Sequence, residues 1–440
     1  MLAGFGSFSA TSKHDAQANT GGSVLGPAAA ASHDRRGRRS TPDNQISAAG
    51  APRTVAESQL RASLEKALTA AGPQSGALVY DLGSHADLFA RRAGVKRPPA
   101  SVEKLYTTVA VMRLLGPDVR LHTSVLGTGR LVNGVWRGNL YLRGGGDPTF
   151  GDPTFNRVWE QGYGPTAGQL VAQLSRKGIR RVTGSVFADE SLFDRRRGGL
   201  MTNYAPDTPD FGGQLSALTY DHGSALRQLS PARFAVKELV LTLRGSRIAA
   251  KAADQTASTP RRARLLAIVN SPPMSVMTRL MDVPSDDLFA ELFTKQLGVL
   301  FGGSGTISRG ARVIRRTIAS SYGLHPVILD GSGLSRADRS SPLEVVDLLR
   351  DVWRTPVGGE LAASLPTVGV NGTVQTIGLK TAAKGRCLAK TGTLDNVTNL
   401  AGYCRSRGGH RLAFALFVDG PPNYAAILLE SRMIAAIARY

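Results

Sequence analysis

Near the C-terminus, Lys390-Thr391-Gly392-Thr393 stands between two apolar-leaning runs, Arg386-Cys387-Leu388-Ala389 and Val397 to Cys404. Two such runs around Asp395-Asn396 predict a β-hairpin, and hence an antiparallel sheet, with the lysine and both threonines on its first strand. Gly392 lets a second backbone come close there, and lysine with threonine can hold a carboxylate. With Asp395 and Asn396 at the centre of the turn, Cys387 and Cys404 face each other; they are the only cysteines. Opposed Cβ atoms in such a ladder lie ~4.5 to 5.5 Å apart, slightly beyond usual disulfide spacing. The pair therefore reads either as two small buried thiols or, in an oxidising compartment, as a disulfide.

Two other stretches carry chemistry. In Ser101-Val102-Glu103-Lys104 the serine and lysine are three apart and share a helix face. Ser101 sits in the first turn, where unpaired N–H groups favour a nascent anion. Its hydroxyl needs a base, and Lys104 serves only if neutral, a state that burial and a second cation, Lys390, would favour. Such a pair arises by chance about once in a chain of this length, and the plain alternative is an N-cap serine. In Ser285-Asp286-Asp287, Ser285 is a second hydroxyl at a helix start. It reads as an N-cap, with both aspartates favourable in the first turn, or as a proton relay from Lys104 to a leaving amine. The three stretches, in this order, match the recognised motif set of penicillin-binding proteins and β-lactamases.

The 440 residues exceed one typical core and imply two or three domains. No apolar run approaches the ~18 to 20 residues of a membrane span. The formal charge of +21 favours contact with an anionic wall polymer or membrane surface. Nucleic acid is not indicated: zinc-finger spacing is missing, and aromatic residues make up only 6%. Seven scattered histidines without paired spacing argue against a metal, and no GxxxxGK[ST] loop points to ATP. No cofactor is expected.

Residues 1–52 read as disordered, being rich in Ala, Gly, Ser and Thr with a basic cluster at Arg35, Arg36, Arg38 and Arg39. They show no evident signal peptide. A helix follows over Val55 to Ala71, then strands over Gly76 to Leu82 and Ala86 to Ala90, then a helix from Ser101 to about Leu115. Residues 128–264 read as a mainly β insertion, with strands at Asn139-Leu140-Tyr141-Leu142, Ser185-Val186-Phe187-Ala188 and Leu239-Val240-Leu241-Thr242. Inside it, Gly146-Asp147-Pro148-Thr149-Phe150 is repeated as Gly151-Asp152-Pro153-Thr154-Phe155, a loop duplication too short for a repeat fold. Helices are expected over Asp286 to Leu297, Leu343 to Trp353 and Ala425 to Ala438, and a strand over Arg411 to Val418.

On these motifs the chain resembles the D-alanyl-D-alanine carboxypeptidase/endopeptidase family of low-molecular-mass, class C penicillin-binding proteins (peptidase family S13), from about Leu60 to the C-terminus. Arg97-Pro98-Pro99-Ala100-Ser101, Leu140 to Thr149, Asp330-Gly331-Ser332-Gly333-Leu334-Ser335-Arg336 and Gly372-Thr373-Val374 add to the resemblance. The gap from 105 to 284 suits a family with an interrupted domain and not a compact class A β-lactamase, whose Glu-x-x-Leu-Asn motif is missing.

The resemblance implies an α+β fold of the serine β-lactamase/DD-peptidase kind: an antiparallel sheet flanked by helices, built from 53–127 and 265–440, with 128–264 inserted as two subdomains. It implies a serine-type D-Ala-D-Ala carboxypeptidase acting on peptidoglycan stem peptides ending in D-Ala-D-Ala, inhibited by β-lactams, and exported to the periplasm or cell wall. Catalysis would fall to Ser101, Lys104, Ser285 and Lys390. Asp287, Thr391, Gly392 and Thr393 would bind substrate, and the backbone N–H groups of Ser101 and Thr393 would form the oxyanion hole.

One departure stands out. The family reads Ser-x-Asn where this chain has Asp287. An ionised aspartate offers only acceptors, and an ion pair with Lys104 would keep that lysine charged. The alternatives are therefore an impaired peptidoglycan-binding homologue and a related serine β-lactamase or esterase.

Overall fold

The computed structural model describes residues 54–198, 213–223 and 229–440; the segment 1–52 expected to be disordered lies outside them. Chain order opens with α1 (Val55–Ala71), β1 (Gly76–Asp81), β2 (Ala86–Arg91) and, after a 3-10 turn at Ala100–Glu103, α2 (Lys104–Leu114). Next come β3 (His122–Val132), β4 (Val135–Arg143), α3 (Pro153–Trp159), α4 (Ala167–Arg176), β5 (Arg181–Asp189), α5 (Pro231–Gly245), β6 (Ala249–Thr256) and β7 (Arg264–Asn270). The chain then runs through α6 (Met274–Asp282), α7 (Asp287–Gly302), α8 (Ile307–Tyr322), α9 (Pro342–Val352) and α10 (Pro356–Ser364). It closes with β8 (Cys387–Leu394), β9 (Val397–Arg405), β10 (Arg411–Asp419) and α11 (Asn423–Arg439).

Both ends of the chain build the first sheet, in the order β2-β1-β10-β9-β8 and antiparallel throughout. Its central strands are buried on both faces, and the side chains divide with a period of two. Leu78, Tyr80, Tyr403, Ala413, Ala415 and Phe417 face a core shared with α2 and α6 to α10. Ala77, Val79, Leu400, Leu412, Phe414 and Leu416 face α1 and α11. Thr54 caps α1 by accepting from the Glu57 N–H at 3.1 Å, and Gly72 ends it at φ +90°, so local signals and the apolar stripe agree.

The second sheet runs β6-β5-β4-β3-β7. β3 pairs antiparallel with β4 and β7, and β5 pairs parallel with β4 and β6. It takes in residues on both sides of the 128–264 interval, since β3 begins at His122 and β7 ends at Asn270. Leu239-Val240-Leu241-Thr242, expected as a strand, lies inside α5. Four apolar-leaning residues fit either period, but buried Phe234, Ala235, Leu239, Val240 and Leu243 repeat every three to four residues after a Ser230 cap and Pro231. In the tandem repeat both aspartates act alike: Asp147 accepts from the Thr149 N–H at 2.8 Å, and Asp152 from the Thr154 N–H at 2.7 Å as it caps α3. A small apolar cluster of Phe193, Leu215 and Ala217 with Leu288, Leu292 and Ile307 fixes the inserted region against α7.

Candidate active site

The site forms where the edge strand β8 meets the 3-10 turn and the start of α7. Gly392 permits the approach: a Cβ there would lie 2.5 Å from the Pro99 carbonyl oxygen and 3.0 Å from the Val102 nitrogen. Asn399, on β9, donates to the Pro98 and Pro99 carbonyls at 3.0 and 2.9 Å and fixes the turn on the sheet. Ala100, just before Ser101, is left-handed at φ +48°. Neither serine is an N-cap. Asp286 caps α7 by accepting from the Phe289 N–H at 3.1 Å, which leaves Ser285, left-handed at φ +67°, to turn its hydroxyl elsewhere. Two non-glycine residues held at positive φ beside two hydroxyl motifs mark a site whose geometry the surrounding packing imposes.

The eight predicted residues come together. Lys104 Nζ is fully buried and donates to Ser101 Oγ at 2.9 Å, to Asp287 Oδ1 at 2.5 Å and to the Ser332 carbonyl at 2.9 Å. Lys390 Nζ, also fully buried, donates to Ser285 Oγ at 2.6 Å and to the Thr391 carbonyl at 3.1 Å. The Ser285 hydroxyl thus meets Lys390, not the Lys104 expected from the sequence. Thr391 Oγ1 donates to Thr373 Oγ1 at 2.7 Å. Ser101, Ser285, Asp287, Thr391 and Thr393 line one cleft of roughly 260 Å³ together with Thr373, Thr376, Thr398, Ile427 and Glu430. A larger cleft of about 500 Å³ lies at the other end of the first sheet, among Asp81, Arg354, Arg405, His410 and Arg411, and holds none of the eight.

The backbone of β8 also points at the cleft. Its outer side is unpaired by any strand of the sheet, and the Ala389 N–H turns outward to the Pro366 carbonyl at 3.1 Å. N–H directions alternate along an extended strand, so the N–H groups of Thr391 and Thr393 face that same side.

Electrostatics separates the two lysines. Burial, then the charge on Lys104, pushes Lys390 down to about 7, against the raising effect of Asp282 and Asp287. Lys104 itself is held by a carboxylate in an ion pair closed to solvent.

The sequence did not single out several residues as parts of the site. Glu291 accepts from the Gly331 and Ser332 N–H groups at 3.1 and 3.0 Å, and Asp330 accepts from Gly333 and Ser335, both at 2.8 Å. They fix the loop whose Ser332 carbonyl holds Lys104. Burial, then the Asp330 charge, raises Glu291 to about 8, and the same two causes raise Asp338 to about 9. Glu430 was legible as a charged residue on the otherwise apolar stripe of Ala426, Met433, Ile434 and Ile437. Among the described residues no group of three or more His, Cys, Asp or Glu is placed to hold a metal ion.

A serine held against a buried lysine, with a second lysine-bound hydroxyl and a threonine-lined rim, is equipped for acyl transfer. A model of the D-Ala-D-Ala carboxypeptidase 3 (S13) family matches residues 57–233 and 210–439. The D-alanyl-D-alanine carboxypeptidase of Actinomadura sp. (strain R39) is 25% identical over 457 residues, covering 84% of this chain and 82% of that protein. Carboxypeptidase DacB of Mycolicibacterium smegmatis is 29% identical over 394 residues, covering 83% and 82%. The crystal structure of penicillin binding protein 4 from Haemophilus influenzae shares the fold with a TM-score of 0.73 at 19% identity, over 86% of this chain and 99% of that one. The chain belongs to the D-Ala-D-Ala carboxypeptidase 3 (S13) family and is a hydrolase.

Proposed function

We propose that the chain is a serine D-Ala-D-Ala carboxypeptidase of peptidoglycan stem peptides, with Ser101 as nucleophile and β-lactams as acylating inhibitors. The observation that carries this reading is the 2.9 Å contact between Ser101 Oγ and Lys104 Nζ, with Asp287 at 2.5 Å from the same ammonium.

Ser101 Oγ attacks the carbonyl carbon of the penultimate D-alanine. Its proton passes to Lys104 Nζ while one ammonium proton passes on to Asp287 Oδ1, so the ion pair takes up one proton in total. The oxyanion is received by the N–H groups of Ser101 and Thr393. As the C–N bond breaks, the leaving amine takes a proton from the Lys390 ammonium through the Ser285 hydroxyl. Water then attacks the acyl-enzyme, one of its protons restoring Lys390, and the proton on Asp287 returns through Lys104 to Ser101. Thr391 and Thr393 hold the substrate's terminal carboxylate.

Asp287 slows this cycle without stopping it. Neutralising the pair gives up a charge-assisted bond in a site sheltered from water. The Cys387–Cys404 disulfide fits an oxidising environment outside the cytoplasm.

The test is intact-mass spectrometry after benzylpenicillin, paired with D-alanine release from a D-Ala-D-Ala peptide. The expected outcome is one adduct and peptide turnover in the wild type, with both lost in Ser101→Ala. An adduct that survives in Ser101→Ala removes Ser101 as nucleophile. An adduct without peptide turnover supports the binding homologue, and rapid penicillin hydrolysis supports a β-lactamase.

A further inference from the structure

Glu430 is an anomaly for a helix packed on the back of a sheet. It is fully buried, and neither carboxyl oxygen has a hydrogen-bond partner. An unsatisfied buried polar group of this kind is destabilising, and a native structure that keeps one calls for a reason. Its position supplies one: Glu430 lines the same cleft as Ser101, Ser285, Thr391 and Thr393, one helical turn below Ile427.

Part of the donor set on the rim of that cleft is already engaged. Thr391 spends its hydroxyl proton on Thr373 at 2.7 Å, and Thr398 spends its own on Asn423 Oδ1 at 3.4 Å. The Lys390 ammonium is turned to Ser285 and to the Thr391 carbonyl. A carboxylate arriving between Thr391 and Thr393 has about four acceptor sites to fill, and the engaged hydroxyls leave room for a further donor. A carboxylic acid supplies one, and O–H···O⁻ is among the shortest and strongest bonds available. Burial pushes the Glu430 carboxyl well above the ordinary carboxylate range, which favours the protonated form that can donate.

We propose that Glu430 is a substrate-binding residue, whose carboxyl O–H donates to the C-terminal carboxylate of the peptide and selects for ligands that carry one. This rests on the reading of the cleft as a D-Ala-D-Ala peptidase site. An ammonium-bearing leaving residue is the other chemistry a lone carboxyl attracts. The hydroxyl-lined rim and the carboxylate every D-Ala-D-Ala peptide brings favour the donor role.

The experiment measures the rate of Ser101 acylation by benzylpenicillin and by its methyl ester, which lacks the free carboxylate. The wild type is compared with Glu430→Gln, which keeps a neutral N–H donor, and with Glu430→Leu and Glu430→Met, which keep none. The expected wild type prefers the free acid. That preference falls roughly tenfold or more in the Leu and Met variants, the loss of one charge-assisted bond, and stays within about threefold in Gln. Either apolar variant alone suffices if the other does not fold. An unchanged acid-to-ester ratio in the apolar variants overturns the inference, as does an equal fall with both probes, which a buried water or a packing role would give. So does a Gln variant as poor as Leu, or a wild type indifferent to the carboxylate. A wild type that forms no adduct with either probe overturns the peptidase reading and this inference together; an adduct with an unmoved ratio overturns this inference alone.

Discussion

Asp287 Oδ1 stands 2.5 Å from Lys104 Nζ, the same ammonium that reaches Ser101 Oγ at 2.9 Å. Both partners are shielded from water, with side-chain exposures of 0% and 7%. The residue that departs from the family pattern is therefore joined directly to the lysine proposed as general base. Its effect on rate follows from what the ion pair must give up for Lys104 to take a proton.

Asp287→Asn removes the carboxylate paired with Lys104 and puts an N–H₂ donor in the cleft. The acylation rate with benzylpenicillin is expected to rise roughly tenfold, a barrier change of about 1.4 kcal/mol. Quenched-flow mass spectrometry measures it. If the Asn variant is slower, the carboxylate is integral to the working base.

Proton delivery through Ser285 makes activity depend on the charge of Lys390. Its value of about 7 lies below that of a free lysine, so the ammonium is present below that pH and is lost above it. The kcat/KM for a D-Ala-D-Ala peptide is expected to decline on the alkaline side of about pH 7, by up to about tenfold per unit. Ser285→Ala, which cuts the relay, is expected to lower the plateau by 10²-fold or more. A profile flat from pH 6 to 9 would exclude Lys390 as the acid.

Gly392→Ala drives a methyl group against the Pro99 carbonyl, 2.5 Å from the Cβ position. Strand β8 must then move away from the turn that carries Ser101. Displacements on the order of 1 Å cost about 10²-fold in rate. The predicted result is a folded protein, with little change in far-ultraviolet circular dichroism, that acylates about a hundredfold more slowly.

Cys387 and Cys404 are bonded across 17 residues of sequence and are cross-strand partners at the far end of the hairpin from Thr393. Titration of the denatured, unreduced protein should find no free thiol. A loop of this size contributes about 3 kcal/mol on chain-entropy grounds. Cys404→Ser should therefore lower the denaturant midpoint and loosen the strand that carries Lys390. Two titratable thiols in the unreduced protein would show that the bond is not formed.

Much of this was written locally. The helix over Val55–Ala71 could be read in full because Thr54, Gly72 and an apolar stripe agree on its limits. The hairpin register, down to Cys387 opposite Cys404, followed from where Asp395-Asn396 turns. The segment Leu239-Val240-Leu241-Thr242 was misread because four residues do not distinguish a period of two from one of 3.6; burial of Phe234, Leu239 and Leu243 against the second sheet decided it. The three motifs named the reactive side chains, since each is a short run whose chemistry is visible in its residue types.

Tertiary structure alone decided how those side chains share protons. Lys104 and Asp287 are separated by 183 positions, and Lys390 and Ser285 by 105; the spacing of Ser101 and Lys104 pairs those two locally, but no local rule says which lysine meets Ser285. Packing the β8 edge on the Ser101 turn brought Lys390 to Ser285 and left Lys104 to Asp287. The same packing set the charge balance, because a pKa depends on burial and on neighbours from distant segments. Glu430 shows the division most plainly. Its residue type and its place on an apolar helical stripe were in the sequence, but the cleft it lines exists only once α11, β8 and the segment around Thr373 are assembled.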